Sequence, residues 1–307
     1  MPHLLTLSQI IDGYRLHMAA RHLSVHTIAD YENTFKKLAA HLVTDLPFAS
    51  ITTDHLAAFL AAQTVSKKTI LNYHIGLSAL YHWAADLKLA PENLMHLVPA
   101  PKPEQHQISE FSPADLQALV RACGRSRTYR NHSKTADHAL KDADRNYAIV
   151  LMLLDTGMRI SELAGAKIHD VDVKNGRITI FGKGSKSRTL PFSPRTAQAL
   201  WRYLATRKEA RLNEPLFATE SDRPIDRTQL GRMLSRLGAR AGVANCHPHR
   251  FRHTFAIWYL RNGGDAYSLQ MMLGHADFEI VRHYINLAGA DLDAAHRRAS
   301  PVDNWRL

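Results

Sequence analysis

The chain has 307 residues, of which 45% are hydrophobic, and its formal net charge is +11 with a pI near 9.7. This length supports a packed core and two domains, and the basic balance favours a polyanionic partner such as nucleic acid. Two cysteines exclude a disulfide framework, and neither a basic signal-peptide region nor a bilayer-spanning apolar run is present, so we expect a cytoplasmic protein.

Residues 5 to 90 show the apolar periodicity of helices throughout. Four helices are predicted, with Ser24 as the N-cap of the second, Thr53 to Ala62 as the third and a start at Ser66 for the fourth. The stripes expected to be buried contain Leu7, Ile10, Ile11 and Tyr14; Ile28, Tyr31, Phe35 and Leu38; and Ile70, Tyr73, Leu77, Leu80 and Tyr81.

A proline-rich segment, VPAPKPEQHQIS, follows these helices. Proline lacks a backbone donor and biases its predecessor toward extended geometry, so this segment is predicted to be a linker. We therefore expect one domain in residues 1–104 and a second in residues 105–307. Residues 1 to 105 hold eight basic and eight acidic residues, so the whole positive excess lies in the second domain.

The second domain is predicted to be α+β, which makes the whole chain mainly α with a small antiparallel β-sheet. Ser112-Pro113 starts a helix, and YAIVLMLLDTG is a second, apolar one. Between them, the polar stretch from Cys123 to Arg145 reads as a solvated loop or an additional DNA contact. GRITIFGKGSKSRTLPF indicates two strands joined by a turn, and helices follow from Pro194.

Two motifs in this domain place a cation beside a turn. In TGMRISEL, Arg159 follows a glycine at a helix start, where free N–H groups favour a phosphate. In GKGSKSR, Lys183 lies between two glycines, so backbone and ammonium can both approach a ligand closely. Taken separately, each cation is more often an ordinary solvated side chain than a ligand-binding one.

The stretch HPHRFRHTFA concentrates histidine and arginine on one predicted helix. Pro248 suits the first helical position, which puts His249 and Arg252 one turn apart on one face, while His253 either backs the site or packs. The spacing of His249 and His253 also suits zinc. However, guanidiniums surround these rings and no carboxylate is near, so the stretch favours an anion over a metal.

Near the end, MLGHADFEIVRHYINLA closes one helix at Gly274 and leaves His275 in the turn. Asp277 is the expected cap of the next helix, on which Ile280, Tyr284 and Leu287 share a face. By itself, a tyrosine on such a stripe is more often a core residue than a nucleophile.

The order and spacing of these motifs closely resemble those of the tyrosine recombinases, which include phage integrases and Xer-type resolving enzymes. The residues that carry the resemblance are Arg159, Lys183, His249, Arg252, His275 and Tyr284. It extends over nearly all of residues 105 to 295, and the helical first domain resembles the family's core-binding, SAM-like domain.

The resemblance implies that Tyr284 attacks a DNA phosphodiester, forming a 3′-phosphotyrosyl bond and releasing a 5′-hydroxyl. Arg159 and Arg252 would bind the phosphate oxygens, since planar guanidiniums do so in a bidentate manner. His249 is the candidate general base, and Lys183 is the candidate general acid. In addition, His275 matches a position that hydrogen-bonds the phosphate, and Glu162 resembles an acidic residue that orients the first arginine.

Ester exchange conserves the bond energy, so the resemblance implies no cofactor, neither metal nor ATP. The implied partners are double-stranded DNA with inverted-repeat sites, three further copies of the chain in a DNA-assembled tetramer, and a possible accessory directionality protein. Residues 290 to 307 resemble the tail that family members dock on a neighbouring subunit. No membrane partner is expected.

Three alternatives remain open at this stage. A type IB topoisomerase-like enzyme would use the same chemistry to relax DNA, and a catalytically silent relative would bind DNA without cutting it. A metal hydrolase built on the two histidines is the third. The DNA sequence recognised, and the choice among phage integration, mobile-element movement and dimer resolution, do not follow from the sequence.

Overall fold

The chain folds into two units in a computed structural model, residues 1–106 and residues 107–307, which divide within two residues of the predicted boundary. Each unit has its own hydrophobic core. The structure describes residues 5–90, 92–102, 109–124, 129–131, 134–136, 140–181, 187–207, 209–274, 278–289, 296, 300 and 302.

The first unit contains the four predicted helices, which are α1 (Leu7–Ala20), α2 (Val25–Leu42), α3 (Thr53–Ala61) and α4 (Lys67–Asp86). Each begins at a hydroxyl N-cap whose side chain accepts a hydrogen bond from a backbone N–H in the first turn. The caps are Thr6, Ser24, Thr52 and Ser66, so the predicted cap at Ser24 is confirmed. The buried faces of these helices form a single core.

Helices also make up most of the described part of the second unit. They are α5 (Pro113–Gly124), α6 (Ala143–Thr156), α7 (Ile160–Gly165), α8 (Pro194–Ala205), α9 (Arg227–Ala241), α10 (Pro248–Arg261), α11 (Ala266–Leu273) and α12 (Glu279–Ala288). α6 packs against α5, α8 and α10, and α10 also contacts α11 and α12. The mainly helical fold with a small antiparallel sheet is therefore confirmed.

The sheet of this unit has three antiparallel strands in the order β3 (Val171–Asp172), β4 (Arg177–Phe181) and β5 (Ser187–Pro191). Ile178 pairs with Leu190, and both are fully buried. This pairing of inward-facing residues sets the register, because a slip of one residue would turn both to solvent. The turn between β4 and β5, which carries Lys183, lies outside the described residues.

The polar stretch from Cys123 to Arg145 is not wholly loop. α5 continues to Gly124, α6 begins at Ala143, and the backbones of β1 (Tyr129–Asn131) and β2 (Lys134–Ala136) pair antiparallel between them. Cys123 is itself buried in the core of the unit. The prediction therefore missed the C-terminal end of α5 and the N-terminal end of α6. A helix end can be mostly polar, because only the side that packs on the core has to be apolar.

α6 is followed by its C-cap Gly157, which adopts a left-handed conformation with φ +61°. A Cβ at this position would lie 2.2 Å from Cδ1 of Phe255 on α10, so the two helices meet where only glycine fits. The turn leads directly into Met158 and Arg159. Gly157 therefore sets where the chain enters α7.

Replacing Gly157 by Ala is expected to lower the free energy of unfolding by about 2–4 kcal/mol, from left-handed strain plus overpacking against Phe255. Chemical denaturation of purified protein measures this change. Gly231→Ala on α9 is the matched control, because a Cβ there meets nothing within 4 Å. It should leave stability unchanged or raise it slightly. Equal losses for both variants would contradict the steric explanation.

Among the described residues, no helix combines the length and the apolarity that crossing a bilayer requires.

Candidate active site

Arg159 lies immediately before α7 and is held there by Glu162. One carboxylate oxygen of Glu162 accepts a hydrogen bond from the Arg159 backbone N–H at 2.7 Å, and the other accepts one from Nη1 at 3.1 Å. The Glu162 side chain is 5% exposed, whereas that of Arg159 is 41% exposed. The guanidinium is thus tethered at one edge and open to solvent elsewhere, as a phosphate ligand must be.

Arg252, on the second turn of α10, is buried and 5% exposed. Its Nη1 donates to the Gly157 carbonyl and its Nη2 to the Leu273 carbonyl, both at 2.7 Å. Burial, together with the charge of Arg159, lowers the pKa of Arg252 to about 10. It therefore remains a cation at neutral pH and joins the ends of α6 and α11.

The two arginines converge on the C-terminal end of α11. Arg252 donates to the carbonyl of Leu273, and Nη2 of Arg159 lies 3.5 Å from the carbonyl of Gly274, the next residue. They come from helix starts about 90 residues apart in sequence, yet they contact consecutive peptide units. The fold thus brings together the two cations that the sequence predicted to share a phosphate.

Tyr284 lies on α12 and is 2% exposed. Its hydroxyl is 2.7 Å from Nδ1 of His253, and the ring centroids are 5.7 Å apart. Burial raises the pKa of the phenol, while the charge of Arg252 lowers it. The predicted nucleophile is therefore within the electrostatic reach of the buried arginine, and it is protonated at neutral pH.

His249 lies one turn before His253 and is exposed, with 6.4 Å between the two ring centroids. α10 begins at Pro248, so the predicted helix start is confirmed. The structure pairs the phenol with His253 and not with His249, the residue that the resemblance makes the base. The sequence left the role of His253 open. Its spacing of four residues from His249 places both rings on one helix face, and this was the feature that could have indicated His253 as a partner of the tyrosine.

The start of α12 differs from the prediction. The helix begins at Glu279, so its cap position is Phe278, whereas Asp277 lies outside the described residues. Ile280 is 45% exposed, and the buried face is formed by Val281 with Tyr284 instead. The predicted buried face contained residues 280, 284 and 287. Its first member was wrong, because Val281 lies on the buried face and Ile280 does not.

Two predicted site residues, Lys183 and His275, lie outside the described residues. A further residue, Arg188 of β5, was not predicted. It also binds the carboxylate of Glu162, with N–O distances of 2.9 and 3.0 Å. Burial alone would raise the pKa of Glu162, but hydrogen bonds from Arg188 and from the Arg159 backbone, with both guanidinium charges, lower it.

No three histidine, cysteine, aspartate or glutamate side chains cluster as a metal would require, within the part of the chain that the structure describes. The neighbours of the two histidines on α10 are cationic, with Arg252 next to His253 in sequence. The charges around these rings therefore suit an anion.

The stability of the second unit is expected to fall as His253 becomes protonated. Burial, followed by the charges of His249, His247, Arg252 and His283, lowers the pKa of His253 from 6.5 to about 4. Because the pKa is depressed in the folded state, the neutral His253 ring contributes to the free energy of unfolding fully above pH 6.5, and this contribution is lost as the pH falls toward 4. The total loss is on the order of 2–3 kcal/mol.

Thermal unfolding of the wild type and His253→Asn between pH 7.5 and 4 measures this contribution. The wild type should lose stability relative to the variant as the pH falls below 6.5, since asparagine keeps a polar atom near the Nδ1 position but cannot be protonated. Tyr284, which faces the ring from α12, stays protonated over this range. Parallel profiles would show that another group controls the pH dependence.

Two family models match this chain. The one described as "Phage integrase family" matches residues 127–290, and the one described as "Phage integrase, N-terminal SAM-like domain" matches residues 11–88. The first alone spans more than half of the sequence. The chain belongs to the phage integrase family. It is a site-specific tyrosine recombinase, an enzyme class that cleaves and rejoins DNA through a tyrosine intermediate.

Relatives named tyrosine recombinase XerC support the assignment. The sequence from Pelobacter propionicus is 27% identical over 304 residues, covering 96% of each chain. That from Lactobacillus leichmannii is 37% identical over 163 residues, covering 51% of this chain and 55% of the relative. The family predicted from the motif order is thereby confirmed.

Solved structures share the fold. The XerA recombinase crystal structure is 27% identical with a TM-score of 0.51, covering 96% of this chain and 99% of the other. A lambda integrase dimer bound to a COC′ core site has a TM-score of 0.71 at 19% identity, covering 90% and 97%. The likeness to the integrase shows a common architecture for both units.

Proposed function

We propose that Tyr284 is the nucleophile of this recombinase and that Arg159 and Arg252 bind the phosphate that it attacks. The phenolic oxygen forms a bond to phosphorus, the bond from phosphorus to the 5′-oxygen breaks, and the strand end stays attached as a 3′-phosphotyrosine. The observation that carries the proposal is the convergence of both arginines on the Leu273 and Gly274 carbonyls, with the phenol bonded to His253, the residue next to Arg252 on α10.

The two arginines have complementary roles. Negative charge develops on the phosphate oxygens during attack, and preorganised donors stabilise it without reorganising. Arg252 is fixed by two short hydrogen bonds, whereas Arg159 is bonded to Glu162 and, at 3.5 Å, to the Gly274 carbonyl, and its side chain is 41% exposed. Arg252 thus provides a fixed, buried positive charge beside the phosphate, and Arg159 provides a more exposed one that contacts the DNA.

Proton transfer requires two further groups. The phenol must lose its proton as it attacks, and the leaving 5′-oxygen must gain one. We assign the first role to His249, which is exposed on the same helix as Arg252, and the second to Lys183. His275 would donate a hydrogen bond to the phosphate, and Glu162 would orient Arg159.

The phenol has to move before it reacts. At 2% exposure, and with its oxygen bonded to His253, Tyr284 cannot reach a phosphate on the outside of a DNA duplex. α12 or the side chains that cover it must shift when DNA binds. The hydrogen bond to His253 therefore stabilises the phenol in its buried, unreactive position. This hydrogen bond breaks when the phenol moves to the phosphate.

DNA binding is supported by charge, because the net +11 arises wholly after residue 105. We propose that the substrate is duplex DNA with inverted repeats flanking a short spacer, and that four copies assemble on two duplexes. A solved lambda integrase tetramer on a Holliday junction has the same fold, with a TM-score of 0.73. Docking of residues 290–307 on a neighbouring copy, an accessory directionality protein and a cytoplasmic location complete the proposal.

A nicked suicide substrate tests the nucleophile directly. The substrate carries a candidate core site taken from DNA flanking the gene, with a nick placed so that the released fragment diffuses away. We expect a covalent protein–DNA adduct that survives denaturation, forms in the presence of a chelator and yields a peptide with phosphotyrosine at Tyr284. No adduct on any core site, despite tight binding, would indicate a catalytically silent relative.

Two plasmid substrates separate recombination from relaxation. A plasmid with two core sites should give excision or inversion products. A supercoiled plasmid without a core site should remain supercoiled. Efficient relaxation of the second plasmid would favour the topoisomerase-like alternative.

A further inference from the structure

Arg188 occupies a position of β5 where an apolar side chain would ordinarily be found. Exposure alternates along the strand, and Arg188 faces inward on the same side as the fully buried Leu190. Its cross-strand partner is Ile180, which is 2% exposed, and the arginine side chain itself is 17% exposed. A cation at such a position requires partners to offset its desolvation, so its partners indicate its role.

All three guanidinium nitrogens of Arg188 are used. Nη1 and Nη2 donate to the two carboxylate oxygens of Glu162 at 2.9 and 3.0 Å, which is the parallel two-bond geometry that fixes a carboxylate plane. Nε donates to the Met272 carbonyl at 2.8 Å. The side chain therefore joins β5 to α7 and to the last turn of α11.

Glu162 transmits this constraint to Arg159. Each of its oxygens accepts one bond from Arg188 and one from Arg159, through the backbone N–H and Nη1 of the latter. Without Arg188, the carboxylate could rotate about its remaining bonds, and the half-exposed guanidinium of Arg159 would rotate with it. The orientation of the exposed arginine thus depends on the buried one.

The same guanidinium lies against Gly274. This residue has φ +63°, and a Cβ on it would lie 2.9 Å from Nη1 of Arg188, so the peptide and the guanidinium are in direct contact. Gly274 directly precedes His275 in the sequence, and its carbonyl also faces Arg159. β5, in turn, directly follows the turn that carries Lys183.

We propose that Arg188 is a positioning residue for strand cleavage, an inference that rests on the proposed function. It acts through Glu162, whose carboxylate it fixes, on the orientation of Arg159. This role runs through its bonds to Glu162 and does not require a contact with the phosphate.

Arg188→Met is the principal test, with the rate of adduct formation on the suicide substrate measured at saturating protein. We expect the rate to fall about 10- to 100-fold, because small misplacements of a binding group cost this much. The dissociation constant for intact DNA should stay within about threefold, since the loss falls on the transition state. Arg188→Lys should restore part of the rate by keeping one bond to Glu162.

Leu190→Ala controls for a general weakening of the sheet. Leu190 is the other inward-facing residue of β5 and is fully buried, but it makes no hydrogen bond to Glu162. Leu190→Ala should lower the melting temperature. Assayed at a temperature where circular dichroism shows both variants fully folded, it should cleave at a rate near that of the wild type. An equal fall in rate for the two variants would overturn the positioning role.

A double-variant cycle tests whether Arg188 acts through Glu162. In a Glu162→Gln background, Arg188→Met should lower the rate by no more than about threefold further, because coupled residues do not act additively. A full additional loss would show that Arg188 does not act through Glu162 and would overturn the proposal. A wild-type chain that forms no adduct would instead overturn the proposed function, and the positioning role with it.

Discussion

Tyr284→Phe is expected to abolish the covalent adduct, with the cleavage rate reduced about 10⁶-fold or to the detection limit, as for the loss of other enzymatic nucleophiles. The ring remains, so the packing of α12 is preserved, and only the hydrogen bond to His253 is lost. That loss should cost about 1 kcal/mol of stability. The measurements are adduct formation on the suicide substrate and chemical denaturation.

Tyr203→Phe is the matched control for this substitution. Tyr203 is also buried in the second unit, and its hydroxyl accepts a hydrogen bond from the Ala218 backbone at 3.0 Å. This variant should lose comparable stability while forming the adduct at the wild-type rate. DNA binding should survive in both variants. An adduct that persists in Tyr284→Phe would assign the nucleophile to another residue.

Arg252→Lys is expected to reduce the cleavage rate by about 10²- to 10³-fold despite retaining the charge. Arg252 donates through separate nitrogens to Gly157 and Leu273, and lysine has a single nitrogen on a flexible stem. At least one of these buried carbonyls would lose its donor, which should also cost about 1–3 kcal/mol of stability. Single-turnover cleavage and denaturation measure the two effects separately.

Arg250→Lys provides the comparison for a structural arginine on the same helix. Arg250 donates to the carbonyls of Ser109, Glu110 and Ala244, and its guanidinium lies 4.1 Å from the ring centroid of Phe111. It should therefore lose stability without losing cleavage, when both variants are assayed well below their melting temperatures. Equal cleavage by Arg252→Lys and Arg250→Lys would refute the phosphate-binding role of Arg252.

Both largest effects concern buried groups, which links activity to conformational change. Arg252 is already bonded and Tyr284 is buried. Under the proposed function, DNA binding therefore has to uncover the phenol, and the bond between Tyr284 and His253 adds to the free energy that this step requires.

The sequence by itself determined several helix starts and ends and the residues of the motifs. Hydroxyl caps at Ser24 and Ser66, proline at the first position of α10 and the stop at Gly274 are local features, governed by hydrogen bonds within one turn. The motif order likewise identified the family. The cap and stop signals survive without tertiary information because each depends only on neighbours within a few residues, and the motif order can be read along the chain without knowing which motifs meet.

Only the tertiary structure decided which side chains meet. The choice of His253 over His249 as the partner of Tyr284 depends on how α10 and α12 face each other, and periodicity cannot distinguish two rings on adjacent turns of one helix. Arg188 was missed because a basic residue in a strand ordinarily faces solvent. Its inward orientation follows from the register of β5, and the role we propose for it follows from its bonds to Glu162, which lies 26 residues earlier in the sequence.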